Sequence, residues 1–445
     1  MRRTALITTV TGALLLSLAA PADAHGGHDD GPTWRAHWVA RQTLDARDGW
    51  AAAQGGTTGG AAATRDNVHV VDDWDELRQA LGGEDAGTND TAKIIFIDGT
   101  VDANTDAEGN PLTCADYAAP GYDKQEYLAT YDPEVRGDAE ITGPLEEARE
   151  RSADNQQQRV SMEVGANTTL IGLGDDARIL GGALTLRDVD NVIVRNIEFE
   201  APRDCFPHWE PGEWNSEYDG VTVRGSTHVW IDHATFSDGA HPDSENEYHW
   251  GYEYQTHDGL LDITNGSDLV TISYSRFSDH DKTMLIGSTD DPTLDRGKLR
   301  VTLHHNRFDN ILQRAPRVRF GEVHVYNNLY VIPQPPETQK DYKYTWGVGV
   351  ESKIYAENNY FDLDEEIAPA EIIHDWRGSD IYETHSLVNG RSPHHEVDLL
   401  AAYNAANAPD LGDDVGWQPR LHERVHPAAA VPGLVNAHAG TGRIL

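Results

Sequence analysis

The chain has 445 residues, and its 74 acidic side chains outnumber its 35 basic ones, which gives a formal net charge of -39 at pH 7. A field of that sign repels nucleic acids and anionic membranes at long range, so we expect neither as a partner. No stretch reaches the roughly 18 uninterrupted apolar residues that a membrane helix requires, so no membrane anchor is expected.

The first 24 residues have the order of a secretory signal peptide. Two arginines precede an apolar run, and an A-x-A cleavage site closes the segment. Cleavage there would make His25 the first mature residue and predicts a secreted, extracellular protein. Residues 25–41 are polar and rich in His, Gly and Asp, so we expect a flexible extension there, followed by one ordered domain at 42–445.

Cys114 and Cys205 are the two cysteines of the chain. A secreted protein meets an oxidising compartment, where an even number of cysteines favours pairing, although two free thiols remain the alternative. We predict a disulfide that ties the segment before the first clear repeat to the loop after the strand at 191–199.

Short β-branched runs with period-two alternation recur along the chain, and each ends in an aromatic residue. The terminal aromatics are Phe199, Phe236, Phe277, Phe308, Tyr330 and Phe361. The shortest interval between them sets the repeat, and the longer ones carry inserted loops. This pattern is typical of a parallel β-helix, in which coils stack, the aromatics pile up inside and the inserts form an outer cleft. A propeller is the alternative, but its repeats are longer and more uniform.

Several polar residues within the repeat are expected to have structural roles. Asn306, Asn328 and Asn359 each stand two residues before an aromatic of the series. Asparagine tolerates left-handed backbone conformations, so we predict that these three residues form turns between strands. Asp232 and His233 could form an acid/base pair, but their place in the strand repeat favours a buried, hydrogen-bonded pair.

Three aspartates have a spacing that suits a hard metal ion. Asp258 and Asp262 are four residues apart, so both would point to the same face of an extended strand. Asp219 precedes Asp258 by nearly one repeat interval, so the stacking of coils would bring it alongside. Carboxylate oxygens suit calcium rather than zinc. Chance spacing among so many acidic residues is the alternative.

The segment RAPRVRFG at 314–321 gathers positive charge in this acidic chain. Arg314 and Arg319 lie five residues apart with Pro316 between them, so we expect an irregular loop rather than a helix to present them. An ion-paired surface is the alternative for arginines grouped in this way.

Two further signals are left without a firm role. His422 and His426 satisfy the zinc-protease pattern H-E-x-x-H, but the flanking prolines disfavour the helix that this motif needs, so we interpret it as chance. Trp209, Trp214 and Trp250 could face sugar rings or pack against other aromatic side chains.

Long motifs make the chain resemble the pectate lyases of polysaccharide lyase family 1, particularly the Bacillus-type extracellular enzymes. The motifs are WNSEYDG, HVWIDHATFSDG, HDGLLDITNGSD, HDKTMLIGS, KLRVTLHHNRF and QRAPRVRFGEVHVYNN. The resemblance implies an all-β, right-handed parallel β-helix whose loop inserts form the substrate cleft. It also implies calcium-dependent β-elimination of α-1,4-linked polygalacturonate, which gives oligomers with a 4,5-unsaturated end.

The resemblance also implies roles for individual residues. They are Ca²⁺ ligation by Asp219, Asp258 and Asp262, binding of substrate carboxylates by Lys282 and Arg319, and proton abstraction by Arg314. A base must be unprotonated to accept a proton, and arginine is protonated at ordinary pH. We therefore expect activity to rise at alkaline pH, where more of Arg314 is neutral. We also expect a monomer.

Two alternatives to this function remain open. A pectin lyase would act on methyl-esterified polymer without calcium, which the three aspartates disfavour. A β-helix that only binds acidic polysaccharide is disfavoured because both Lys282 and Arg314 are retained.

Overall fold

The computed structural model describes residues 32–137, 140–333, 340–422 and 424–445. The predicted signal peptide and the start of the predicted extension lie outside these residues. Within them, no helix combines the length and the apolar composition that crossing a membrane would require.

Three long parallel sheets wind around one apolar core. Sheet one contains β1 (Val68–Val71), β2 (Lys93–Ile97), β5 (Thr168–Gly172), β8 (Asp190–Arg195), β13 (Thr227–Asp232), β18 (Asp268–Ser273), β21 (Val301–His304), β24 (Glu322–Tyr326), β27 (Lys353–Glu357) and β30 (Ile381–Thr384). Sheet two contains β3 (Thr100–Asp102), β6 (Arg178–Leu180), β9 (Glu198–Glu200), β14 (Thr235–Ser237), β19 (Arg276–Lys282), β22 (Arg307–Gln313), β25 (Leu329–Ile332), β28 (Tyr360–Leu363) and β31 (Leu387–Val388). Sheet three contains β4 (Ser161–Glu163), β7 (Ala183–Arg187), β12 (Val221–Arg224), β17 (Leu261–Thr264), β20 (Leu285–Ile286), β23 (Arg317–Val318), β26 (Trp346–Gly349) and β29 (Ile373–Trp376). Each complete coil runs from sheet one through sheet two to sheet three, which is the predicted right-handed parallel β-helix.

The remaining elements are two hairpins and a set of helices outside the coils. The hairpins pair β10 (His208–Glu210) with β11 (Glu213–Asn215) and β15 (Tyr248–His249) with β16 (Tyr252–Glu253). The α-helices are α1 (Trp34–Ala40), α2 (Trp74–Leu81), α3 (Cys114–Tyr117), α4 (Lys124–Thr130), α5 (Pro133–Arg136), α6 (Pro144–Val160), α7 (Pro292–Asp295), α8 (Leu399–Ala406) and α9 (Val431–His438). Short 3-10 helices lie at Trp50–Gly55, Gly59–Ala62, Arg65–Asn67, Gly83–Thr88, Asp243–Glu245, Pro369–Glu371, Pro393–His395 and Ala428–Ala430.

The predicted aromatic series forms one continuous stack inside the coils. The ring centroids of Phe236 and Phe277 are 5.0 Å apart, and those of Phe277 and Phe308 are also 5.0 Å apart. Phe199, Tyr330 and Phe361 extend the stack in both directions. Stacked rings bury large apolar areas and hold neighbouring coils in register, so the sequence repeat is the repeat of the core.

The asparagines before these aromatics lie in turns between strands, as predicted, but they are not the left-handed residues of those turns. Asn306, Asn328 and Asn359 are fully buried, and none of them has a positive φ. The Asn306 N–H donates to Asn328 Oδ1 at 2.9 Å, and the Asn328 N–H donates to Asn359 Oδ1 at 3.0 Å. The left-handed residue at each turn is the one before, for example His305 and Asn327. The asparagines instead form a hydrogen-bonded ladder, because an inward amide can satisfy backbone N–H groups that the turn leaves free.

Helix α1 corrects the predicted boundary of the ordered domain. Thr33 caps this helix by accepting a hydrogen bond from the N–H of Ala36, and Ala36 and Val39 are buried against Ile94 and Phe96 of β2. Apolar residues spaced three apart on one helical face explain this packing. The prediction of a flexible extension is therefore wrong for residues 34–40, and ordered structure begins before Gln42.

The long inserts pack together beside the coils. The predicted disulfide is confirmed: Cys114 at the start of α3 is bonded to Cys205 in the loop after β9. Trp214 contacts Trp250 with 4.5 Å between ring centroids, and Trp209 lies 5.1 Å from Trp250. The three tryptophans therefore pack mainly against one another, which was one of the two expected roles.

Asp232 and His233 form the buried pair that the strand repeat favours. Asp232 accepts hydrogen bonds from Arg195 Nη2 at 2.6 Å and from Ser273 Oγ at 2.8 Å, and it lies 2.9 Å from His233 Nδ1. Burial opposes the carboxylate charge, but His233 and Arg195 hold the pKa of Asp232 well below its usual range. Asp232 and Arg195 form a charged anchor on sheet one, away from the cleft described next.

Candidate active site

A cleft of about 570 Å³ lies where the ends of sheet two meet sheet three and the inserts. Its walls combine cationic, acidic and aromatic side chains. The lining includes Trp214, Tyr252, Glu253, Gln255, Asp281, Lys282, Gln313, Arg314, Arg317, Lys340, Lys343, Tyr344, His374 and Trp376. Two of the predicted site residues, Lys282 and Arg314, therefore share one cleft.

Lys282 is the last residue of β19, where it pairs in register with Gln313 of β22. Its Nζ donates to Gln255 Oε1 at 2.7 Å and to Asp258 Oδ1 at 3.3 Å. The lysine thus connects the cleft to one of the three predicted metal-binding aspartates.

Asp219 lies just before β12, whereas Asp258 lies just before β17 and Asp262 is the second residue of β17, on the neighbouring coil. Asp219 Oδ1 accepts a hydrogen bond from the Gly259 N–H at 2.9 Å, and Asp262 Oδ1 accepts one from the Leu285 N–H at 2.9 Å. A methyl group built on Gly259 would lie only 2.6 Å from Asp219 Oδ1 and 2.7 Å from Asp262 Oδ1. Two carboxylates therefore close around a position that only glycine can occupy.

Asp262 is buried, Asp219 and Asp258 are half-buried, and the three carboxylates repel one another. Burial first and the charge of Asp258 second raise the pKa of Asp219 to about 7. Burial, followed by the charges of Asp219 and Asp258, raises the pKa of Asp262 well above its usual range. Buried like charges of this kind need a cation or protons to offset them.

His280 holds the backbone of Asp258 in place through a hydrogen bond to its carbonyl oxygen. Its Nδ1 lies 2.5 Å from Asp238 Oδ1, and its Nε2 lies 2.7 Å from the carbonyl oxygen of Asp258. Both neighbours are acceptors, so both ring nitrogens donate and the ring is an imidazolium. Burial opposes this charge, but Asp238 outweighs burial and raises the pKa of His280 to about 9.

Arg314 stands in the short loop between β22 and β23, as the proline in the sequence predicted. Its backbone has a left-handed φ of 59°. Its carbonyl oxygen accepts from the Met284 N–H at 2.7 Å, and the Ala315 N–H donates to Thr345 O at 2.8 Å. The loop is therefore held by the coils on both sides. The buried Nε of Arg314 has no hydrogen-bond partner among the described residues.

Of the other two arginines in this segment, Arg317 lines the cleft and Arg319 does not. Arg319 Nε donates to Asp290 Oδ1 at 2.7 Å and its Nη1 donates to Gly287 O at 2.7 Å, so it lies behind the cleft wall. Arg317, which the sequence analysis did not select, lines the cleft and stacks on Trp376 at 4.0 Å. Burial first and the charge of Arg319 second lower the pKa of Arg317 to about 10. No spacing rule in the sequence separates these two arginines, because only the local turn decides which one faces outward.

The histidines of the H-E-x-x-H motif do not form a zinc site. Neither His422 nor His426 lies in a helix of the described chain. His426 Nδ1 lies 3.1 Å from His305 Nε2, while His422 packs against His324 with 5.8 Å between ring centroids. The two histidines therefore have different neighbours, in agreement with a chance match.

Comparison with known proteins agrees with the fold and the cleft. The family model described as pectate lyase matches residues 4–116 and 135–408. A pectate lyase of Bacillus subtilis (strain 168) is 45% identical over 411 residues, which cover 91% of this chain and 94% of that protein. Pectate lyase D of Dickeya chrysanthemi is 35% identical over 424 residues, which cover 93% of this chain and 94% of that protein.

Solved structures give the same result. The thermostable pectate lyase PL 47 is similar with a TM-score of 0.88 and 48% identity, over 91% of this chain and 99% of that one. A pectate lyase bound to a hexasaccharide is similar with a TM-score of 0.85 and 44% identity, over the same shares of both chains. Because the family model covers most of the sequence and the solved enzymes share its full β-helix, the chain belongs to the pectate lyase family of enzymes.

Proposed function

We propose that this pectate lyase cleaves α-1,4-linked polygalacturonate by calcium-dependent β-elimination, with Arg314 as the base. The observation that carries the proposal is the placement of Arg314 and Lys282 in one cleft, where Lys282 Nζ reaches Asp258 and the adjoining Gly259 contacts Asp219 and Asp262. The similarity to a pectate lyase bound to a hexasaccharide supports an oligomeric galacturonate as the substrate.

The acidic side chains fit a calcium ion. Asp219, Asp258 and Asp262 offer hard oxygen ligands, and the raised pKa values of Asp219 and Asp262 mark carboxylates that need positive charge nearby. The cradle around Gly259 brings two of them together without a side chain between. Bound Ca²⁺ would offset their repulsion and supply positive charge toward a substrate carboxylate.

The remaining chemistry is assigned to residues of the chain. The C5 proton of a galacturonate unit lies α to the carboxylate, so its removal places further negative charge on that group. Lys282, which Gln255 and Asp258 hold in place, is suited to neutralise this charge as it develops. The neutral guanidine form of Arg314 accepts the C5 proton, the electron pair of the C5–H bond forms the C4–C5 double bond, and the C4–oxygen bond breaks. Water supplies the proton to the leaving oxygen.

Ultraviolet absorbance of the unsaturated product tests the reaction class. The assay compares polygalacturonate with highly methylated pectin, each with and without a calcium chelator. We expect product from polygalacturonate only when calcium is present. Product from methylated pectin with the chelator present would indicate a pectin lyase, and no product from either polymer would indicate a protein that only binds.

A pair of arginine variants tests the base. For Arg314→Lys we expect kcat to collapse while calcium binding survives, because a displacement of about 1 Å can cost on the order of a hundredfold. For Arg319→Lys we expect KM to rise more than kcat falls, since we propose that the Arg319 guanidinium turns from Asp290, behind the cleft wall, to a substrate carboxylate when the polymer binds. A near-normal kcat for Arg314→Lys would show that another group accepts the C5 proton, and it would leave the calcium assignment intact.

Secretion and the monomeric state are also part of the proposal. The signal peptide at residues 1–24 would place the enzyme outside the cell, where pectate is found as a polymer. Amino-terminal sequencing of the protein recovered from the culture medium should give His25 as the first residue. Light scattering of the same sample should give the mass of one chain.

A further inference from the structure

Two lysines in the cleft are not needed for the chemistry proposed above. Lys340 and Lys343 both converge on Asp281, a buried residue next to Lys282 on β19. Gln313 Nε2, from the neighbouring strand β22, also donates to Asp281 Oδ1 at 2.8 Å. Asp281 thus receives three donors directly beneath the cleft, and both lysines line the cleft itself.

The two lysines differ in how closely carboxylates hold their ammonium groups. Lys340 Nζ lies 2.7 Å from Asp281 Oδ2 and 2.5 Å from Glu253 Oε2, so it is shared between two carboxylates. Lys343 Nζ lies at the longer distances of 3.2 and 3.3 Å from the two oxygens of Asp281. Its side chain is 44% exposed, against 25% for Lys340. An ammonium has three donors, so Lys343 keeps donor capacity on its solvent side.

The backbone holds Lys343 near the proposed base. The Lys343 N–H donates to Leu312 O at 2.8 Å, and Leu312 stands two residues before Arg314. The neighbouring Tyr342 is buried, and its hydroxyl hydrogen-bonds the hydroxyl of Thr345 at 2.7 Å. The lysine therefore extends from a fixed backbone segment into the cleft, and Asp281 orients its side chain.

Charge balance indicates what Lys343 is suited to bind. Asp281 and Glu253 are matched by Lys340 and Lys343, so the group is neutral and offers no net repulsion to an anion. Sharing a half-exposed lysine between Asp281 and a second carboxylate costs little, because such pairs are weak in water. A substrate with one carboxylate on every sugar unit presents such a group beside the reacting unit.

We propose that Lys343 forms a further subsite of the cleft, which binds the carboxylate of a galacturonate unit other than the one that loses its proton. This inference rests on the proposed function. The subsite sets affinity and the preference for unesterified polymer, and it takes no part in proton transfer. Methyl esterification of the unit at this subsite would remove the charge that Lys343 recognises.

Steady-state kinetics of Lys343→Gln and Lys343→Arg on polygalacturonate test the subsite. We expect KM to rise about three- to tenfold in Lys343→Gln with a smaller fall in kcat, and to recover in Lys343→Arg, which keeps the charge. The KM of Lys343→Gln should also rise less steeply than that of the wild type as NaCl increases, because one charged contact is missing.

Lys353→Gln is the matched control. Lys353 lies on β27, its side chain is also 44% exposed, and its Nζ stands 3.8 Å from Glu322 in a comparably loose ion pair. We expect its KM to stay within about twofold of the wild-type value. If Lys343→Gln behaves like this control while the wild type is active, the subsite is refuted and the proposed function stands. If the wild type yields no unsaturated product from polygalacturonate, the proposed function itself fails.

Discussion

The asparagine ladder gives the sharpest test of what holds the coils together, and Asn328 is its central member. The Nδ2 of Asn328 donates to Leu303 O at 2.9 Å and to Asn359 Oδ1 at 3.2 Å, while its Oδ1 accepts from the Asn306 N–H. Asn328→Ala removes all three interactions and leaves the buried Asn306 N–H without its partner. The change therefore acts on two neighbouring coils at once.

The expected cost follows from these contacts. The two hydrogen bonds that Nδ2 donates contribute a net of about 1 kcal/mol each, and the orphaned buried N–H of Asn306 costs roughly 1 to 3 kcal/mol, so we expect about 3 to 5 kcal/mol in total. Unfolding a chain of roughly 400 ordered residues changes the entropy by about 0.85 kcal/mol per kelvin. The predicted fall in Tm is therefore about 3 to 6 °C.

Differential scanning calorimetry at one fixed scan rate measures this shift. Asn436→Ala is the control, because Asn436 is exposed on α9 and accepts a hydrogen bond from Arg307 at the surface. We expect the control to change Tm by less than about 1 °C. A shift equally small for Asn328→Ala would refute the argument that the ladder satisfies otherwise unpaired backbone groups.

Three further predictions concern the calcium site, the disulfide and a buried histidine. Asp258→Asn keeps the shape of the side chain but removes a ligand charge, so it should raise the calcium concentration needed for half-maximal activity. If that concentration does not change, Asp258 is not a calcium ligand. Cys114→Ser opens a link between residues 91 positions apart and should lower Tm, with a loop-entropy limit of about 4 to 5 kcal/mol, whereas an unchanged Tm would show that the bond constrains nothing. Burial, followed by the charges of His304 and His426, lowers the pKa of His305 to about 2. Below about pH 6.5 the unfolded chain therefore binds a proton at this residue that the folded chain does not bind, and the folded state becomes less stable as the pH falls. His305→Asn, which suits the left-handed turn, should flatten the decline in Tm between about pH 6.5 and 4, and an unaltered slope would assign it to other groups.

The repeat could be predicted because its physical basis is local. Each coil contributes one aromatic residue at the same position, although the inserted loops make the sequence intervals uneven. When the coils pile up, these aromatic rings form a stack, and Phe277 lies in the middle of it. The same stacking places Asp219 beside the turn that carries Asp258, because a one-coil separation in sequence becomes adjacency in space. These expectations depend on periodicity and residue type alone.

Other features depend on contacts that periodicity cannot give. The asparagines were assigned to the wrong position of the turn. The sequence shows that a turn precedes each aromatic, but it does not show which turn residue is left-handed and which points its amide inward. Helix α1 was missed because its apolar face has only a few small residues, and its burial depends on β2. Lys343 was missed because its significance comes from Asp281, which is distant in sequence and meets it only through the coil geometry.

The arrangement of charge explains how so acidic a protein can bind an anionic polymer. At physiological ionic strength the Debye length is about 8 Å, so the distant negative surface is largely screened from a substrate in the cleft. Contacts of about 3 Å between ammonium or guanidinium groups and carboxylates are screened much less. The acids beneath the cleft, buried Asp281 and half-buried Asp258, fix the positions of the Lys343 and Lys282 ammonium groups. Under the proposed function, the local placement of cations rather than the net charge would determine which polymer this cleft accepts.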